Sequence, residues 1–305
     1  MHTNNALIGN LKRSRRRAIF ASKSFGNPLS AMLNSGLPRF RKPPVVETVL
    51  GLMFDPLPKL SINELSLFWG QLGECWKKCT IAPHLSPQYE RFDAKQIFVE
   101  ERQQLLMQVI DSPTFRLQIE HESKSRMIQV QNSRFHYNWI GTYGDSYPSF
   151  QSVKPDFESQ LAKFVKFVDD RQLGVVKPEQ WEITYVNVMS KGTVWHEPSD
   201  WNHLFPKIPA PMSSSSVAEL ESFEGEWHYI IPERKGRLHV QIKHQKQLGN
   251  KEESIRMVLT ARGPINENTD RLNAMNEGLN IGHDVIVQSF FDLTSSIAHE
   301  VWESY

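Results

Sequence analysis

Arg134, His136 and Asn138 alternate with Phe135, Tyr137 and Trp139. A strand with this pattern sends three aromatic rings to one side of its sheet and three polar groups to the other. The run Trp181 to Met189 obeys the same arithmetic, placing Glu182 and Thr184 on one face and Trp181, Ile183, Tyr185 and Asn187 on the other. If the two polar faces coincide, Arg134, His136, Asn138, Glu182 and Thr184 share one surface. The chemistry available to them is general base catalysis, with His136 oriented by Glu182 and with Arg134 or Asn138 polarising a substrate. The competing reading is that these groups satisfy one another's hydrogen bonds or face solvent, and the sequence favours it, because buried polar residues are normally paired.

A second group could bind phosphate. Arg237, His239 and Lys243 fall on one face of a predicted strand, and Arg256 and Arg262 on an outer face nearby. Together with Arg13, Arg15, Arg16 and Arg17 they are candidates for nucleic-acid contact. The net charge of +1 over 305 residues conceals an uneven distribution: residues 1–42 carry nine basic residues and no acidic ones. The rest of the chain is therefore net acidic, and outward-facing Arg and Lys are what any soluble sheet displays.

Metal and cofactor chemistry find little support in local spacing. His196, His203, His228, His239 and His244 contain no HExxH pattern, and His239 and His244, five apart on one strand, point to opposite faces. His283 and Asp284 are adjacent on a predicted helix and diverge by about 100°. Cys75 and Cys79, four apart, suit one face of a predicted helix. No Walker A, GxGxxG or GxSxG sequence occurs. No metal and no cofactor is expected, and no membrane association.

The elements that must hold these residues follow from periodicity. Strands are predicted over 45–54, 96–101, 114–120, 125–131, 134–140, 181–189, 226–231, 236–246 and 253–262. Helices are predicted after Ser61, whose spacing to Glu64 is that of a capping box, over 156–171, over 271–292, and through Ile297 to Trp302. The residues from 81 to 90 read as loop. Such an order predicts an α+β fold, a mainly antiparallel sheet with helices packed on one face, built from two diverged strand-rich halves. The expected organisation is a basic, disordered tail over 1–40, an N-terminal half over 41–192, a Pro- and Ser-rich linker or long loop over 193–225, and a C-terminal half over 226–305.

The chain also resembles an uncharacterised, sporadically distributed family of bacterial proteins. The resemblance runs from Pro43 to Trp302 and rests on Pro43-Pro44-Val45-Val46-Glu47, the centre Arg134-Phe135-His136-Tyr137-Asn138-Trp139, and Tyr147-Pro148. It continues through Glu182 to Asn187, Gly282-His283-Asp284, Phe290, Thr294, Ala298-His299 and Trp302. It implies genes that move between genomes, as defence, toxin–antitoxin and immunity components do; the cytoplasmic location expected here comes instead from the cysteine usage, Cys75 and Cys79 alone, which suits a reduced compartment. The family brings no activity with it. Residues 1–40 lie outside the resemblance, and His136 stands where the pattern expects Phe, which weighs against a catalytic role. The expected function is a non-enzymatic binding or regulatory protein that recognises a protein partner. Nucleic-acid binding and an enzyme centred on Arg134, His136 and Glu182 are the alternatives.

Overall fold

The computed structural model describes residues 36–92, 115–141, 146–208, 218–246, 252–266 and 270–305. They form one α+β body around a nine-stranded antiparallel sheet. In chain order the elements are β1 (Val45–Phe54), α1 (Ile62–Gln71), β2 (Lys78–Pro83), β3 (Phe115–Glu120), β4 (Arg126–Gln131) and β5 (Arg134–Ile140). There follow α2 (Phe150–Asp170), β6 (Pro178–Ser190), α3 (Trp201–Leu204), β7 (Glu224–Ile231), β8 (Gly236–Lys246) and β9 (Glu253–Pro264). The chain closes with α4 (Arg271–Leu293) and α5 (Ser296–Val301).

The spatial order is β2-β3-β4-β5-β1-β6-β9-β8-β7. The same sequence of moves is made twice. An opening strand is laid down, a meander returns to pair with it, and a long helix follows. β1 is closed by β2 to β5 and then α2; β6 is closed by β7 to β9 and then α4. The two opening strands pair with each other at the centre, so both halves contribute to one continuous sheet.

Alternation along the strands separates the faces. Phe135 and Tyr137 on β5, Leu50 and Leu52 on β1, Ile183 on β6, Ala261 and Leu259 on β9, and Leu238 and Val240 on β8 all point to the helical side and are buried. Phe164 of α2 meets Phe54, Phe68 and Phe135 there. Aromatic burial of this kind contributes about 1.5–3 kcal/mol per side chain. α4 lies close on β6 because Gly282 leaves room: a Cβ at that position would stand 2.6 Å from Ile183 Cγ2. The close approach brings the neighbouring His283 down to the sheet.

Local signals hold where the physics is local. The Ser61 hydroxyl accepts from the Glu64 amide at the start of α1, and the Asp270 carboxylate accepts from the Leu272 and Asn273 amides at the start of α4. Three expectations need correction. α2 starts at Phe150 rather than 156: the burial of Phe150 and Val153 extends the helix back through Pro155, which forfeits the backbone bond to the Gln151 carbonyl. Cys75 and Cys79 are not on a helix: α1 ends by Leu72, Gly73 turns with φ 97°, and Cys79 lies in β2. β2 itself occupies part of the stretch read as loop, where prolines mask a short edge strand. The strand expected over 96–101 and the serine run at 213–216 fall outside the described residues. Within 193–225, Trp195, Trp201, Phe205 and Phe223 are buried, so these parts of the expected linker are packed. No helix among the described residues is long and apolar enough to cross a membrane.

Candidate functional site

The non-helical face of the sheet collects the predicted polar residues into rows. One row of the register runs Gln129, His136, Gly51, Glu182, Arg262, Arg237 across β4, β5, β1, β6, β9 and β8. The next runs Asn138, Val49, Thr184, Thr260, His239, His228. Strands in a sheet are about 4.8 Å apart, so His136 and Glu182, two strands apart, should not touch. Gly51 lies between them and supplies no side chain; a Cβ there would come within 2.6 Å of His136 Cδ2. The imidazole fills that gap, and its Nε2 comes to 3.4 Å from Glu182 Oε1, too long and poorly placed for a hydrogen bond.

This face is wrapped. The chain leaving β2 crosses it as a strap, residues 84–91, that passes from β4 and β5 over β6 to β9 and β8. Two buried glutamines bind the strap backbone with their amides. Gln131 accepts from the Leu85 amide and donates to the Leu85 carbonyl, at 3.1 and 3.0 Å. Gln180 accepts from the Glu90 amide and donates to the Gln88 carbonyl, at 2.7 and 2.8 Å. Arg134 reaches the Ser86 carbonyl at 3.4 Å. The strap thus finds in side chains the partners that a neighbouring strand would supply.

Its far end is an ion cluster. The Glu90 side chain, 3% exposed, receives Arg237, His239 Nε2 at 2.7 Å and Arg262 Nε at 2.6 Å. Burial alone would raise the Glu90 pKa, but the hydrogen bonds from His239 and Arg262 and their charge outweigh it and hold it at about 2. Glu182 is likewise penalised by burial yet lowered overall by His136, Arg134 and Arg262. Burial depresses His136 to about 4, so its imidazole is neutral at physiological pH.

The structure therefore brings Arg134, His136 and Glu182 onto one face under the strap, with His136 against Glu182 and Arg134 bonded to the strap and acting on Glu182 through its charge. Asn138 accepts from Gln129 and donates to Glu47, and Thr184 bonds Thr260. Of the basic residues expected to meet phosphate, Arg237, His239 and Arg262 turn inward onto Glu90. Lys243 pairs with Glu224 at 2.9 Å, with Arg256 opposite it in the register. Arg13, Arg15, Arg16 and Arg17 lie outside the described residues. Asn187 is on the other face, buried, with its amide 3.4 Å from the Met257 carbonyl.

That other face holds a cavity of about 730 Å³ between α4, the start of α2, the ends of β1 and β6, and residues 37–43. Its walls are apolar: Pro38, Phe40, Pro43, Val45, Phe150, Ile286, Val287 and Phe290. A hydrogen-bonded chain lies along its floor. Tyr147 Oη is 2.9 Å from Tyr185 Oη, which is 2.8 Å from His283 Nδ1, and the His283 ring stacks on Phe150 at 4.2 Å. Burial pushes Tyr185 well above its usual value, raises Tyr147, and lowers His283 to about 4. All three are neutral hydrogen-bonding groups at pH 7. The exposed Arg39 and Arg41 border the cavity, Arg41 over the Tyr305 ring, and among the described residues the lining contains no Asp or Glu side chain.

Residues 39–42 are held there by the C-terminus. Arg41 and Lys42 amides donate to the Glu303 and Trp302 carbonyls, and the Tyr305 amide donates to the Arg39 carbonyl. The cavity draws on Pro43, Tyr147, Tyr185, Asn187, His283 and Phe290, all within the motifs quoted above, yet no reading of residue chemistry assembled them. Tyr185 and Asn187 interrupt the apolar face of β6, and that interruption is the signal that could have found the floor.

No protein-family model matches the chain, and no curated protein matches it. Among solved structures the chain is similar to DynU16, described as a protein in the dynemicin biosynthetic locus. The identity is 13%, with 63% of this chain and 77% of that chain covered and a TM-score of 0.24.

Proposed function

We propose that this is a non-enzymatic binding protein, and that the helix-face cavity takes a small ligand with an apolar body and an anionic group. The observation that carries the reading is the composition of the lining: walls formed largely by apolar side chains, a neutral Tyr147–Tyr185–His283 floor, and two arginines with no Asp or Glu side chain among the described lining residues. A concave, mostly apolar site of this size with a few convergent polar groups is the usual form of a small-molecule pocket. Neutral tyrosine and histidine can both donate and accept, which orients a ligand without demanding a particular charge at depth. The arginines then select for an anion at the entrance. The wrapped polar face supports the same reading from the other side, since Glu90 of the strap already occupies Arg237, His239 and Arg262.

The test is titration of the full chain with 8-anilinonaphthalene-1-sulfonate, followed by displacement with dodecanoate. Saturable binding is expected, with dodecanoate competing. Ile286→Trp, which fills the cavity, should abolish it while the melting curve stays cooperative. Replacing both Arg39 and Arg41 by Gln should weaken it by about tenfold or more, as expected for loss of a charge-assisted contact. Unchanged binding in a folded Ile286→Trp variant would refute the assignment.

A further inference from the structure

We infer that the outer edge of the sheet carries a divalent transition-metal site made by His228, His239 and Glu226. His228 on β7 and His239 on β8 stand directly opposite in the register, and their Nδ1 atoms are 2.8 Å apart. One ligand atom from each of these histidines and from Glu226 lies within 4.8 Å of the others. The three sit on two paired strands, so their spacing is set by the backbone ladder.

Orientation comes from behind. His239 Nε2 is 2.7 Å from Glu90 Oε1, and a carboxylate can only accept, so Nε2 carries the proton and Nδ1 presents a lone pair toward His228. This is the carboxylate–histidine arrangement that fixes the tautomer of metal-bound imidazoles and raises their basicity. Without metal, His228 Nδ1–H donates to that lone pair. When a metal ion takes the place of this proton, His228 changes tautomer: Nδ1 gives its proton to solvent and Nε2 takes one up, so the ring stays neutral and binds through Nδ1. Metal–nitrogen bonds of about 2.0–2.1 Å in a tetrahedral site require the two nitrogens to open to roughly 3.3 Å. Glu226 supplies the third ligand and a compensating charge. Imidazole and carboxylate donors suit zinc, copper or nickel rather than calcium or magnesium. Cys75, His121 and Glu122 form a comparable group, but Lys77 holds Glu122 at 2.9 Å and Ser123 engages His121 Nδ1 at 2.9 Å.

The test uses the full chain, stripped with chelator and dialysed against zinc, with bound metal counted by mass spectrometry. One zinc per chain is expected. His228→Ala, on the exposed edge, should lower affinity by at least about a hundredfold, beyond what loss of an outer partner costs. Glu226→Gln should weaken it less, and Cys75→Ala should leave it unchanged. Cobalt substitution should give a visible absorption band that the His228 variant lacks. Absence of bound zinc in the wild-type chain, retention in His228→Ala, or loss in Cys75→Ala each overturns the assignment.

Discussion

The two faces of the sheet handle polarity in opposite ways. On the strap face, charges are dense and drawn together: Glu90 gathers Arg237, His239 and Arg262, while Glu182 lies near Arg262 and beside His136, whose Nε2 has no hydrogen-bond partner. On the helix face, the polar groups at the cavity floor, Tyr147, Tyr185 and His283, are neutral and border open space. The strap face attracted attention in the sequence because it is rich in chemistry-bearing residue types. The difference shows that richness is no guide to availability. A carboxylate held by two guanidinium groups and an imidazole has its interactions filled, whereas a tyrosine beside a cavity has capacity left for a ligand.

The sharpest way to break this contrast is Glu90→Ala. It leaves two arginines in a poorly solvated cluster without their counter-charge, and breaking a buried ion pair in this way costs about 3–5 kcal/mol. Chemical denaturation should show that loss, and the surviving folded fraction should bind the anionic probe with unchanged affinity, since the cavity is on the opposite face. Equal loss of probe affinity would mean the two faces are coupled.

Acid titration separates the faces next. His136 and His283 are both held at about 4 by burial, below the unfolded value of 6.5. Between these limits the unfolded chain binds protons that the folded one excludes. The stability of each buried neutral imidazole is therefore complete above pH 6.5 and declines as pH falls to 4. At about 1.4 kcal/mol per pKa unit, each accounts for roughly 3 kcal/mol across that window. Glu90, lowered from 4.5 to about 2, adds a further loss that begins only below pH 4.5. Unfolding free energy measured against pH should thus fall in two stages. His283→Phe, which keeps the stack on Phe150, and His136→Phe should each flatten the first stage by a comparable amount, while His84, His228 and His299, also lowered by burial, sustain what is left.

The smallest effect is expected from Tyr185→Phe. It removes the hydroxyl that links Tyr147 to His283 and should cost about 1 kcal/mol, the net worth of a typical hydrogen bond. Its melting temperature should change little while probe affinity drops, the reverse of Glu90→Ala.

Much of the scaffold was legible in the residues. The bounds of β1, β5 and β8 follow from alternation and turn chemistry, and so does the division of Phe135, Tyr137 and Trp139 from Arg134, His136 and Asn138. Capping at Ser61 was equally plain. Less legible were β2 and the strap, whose prolines and mixed polarity carry no period. Gln131 and Gln180 carry no local signal of their role, because it depends on a backbone that arrives from some forty to ninety residues away.

What the sequence determined by itself is therefore the class of fold, the approximate position of most elements and the side to which each strand residue points. These depend on the period of two or 3.6 residues, which is a property of the local chain. Only the tertiary structure decided which strands are neighbours. That choice set His136 beside Glu182 across Gly51, turned Arg237 and Arg262 onto Glu90, and placed His228 opposite His239. It also enclosed a cavity from segments near both ends and the middle of the chain. Strand order and register are long-range choices, fixed by how all the buried faces pack at once, and no local pattern encodes them.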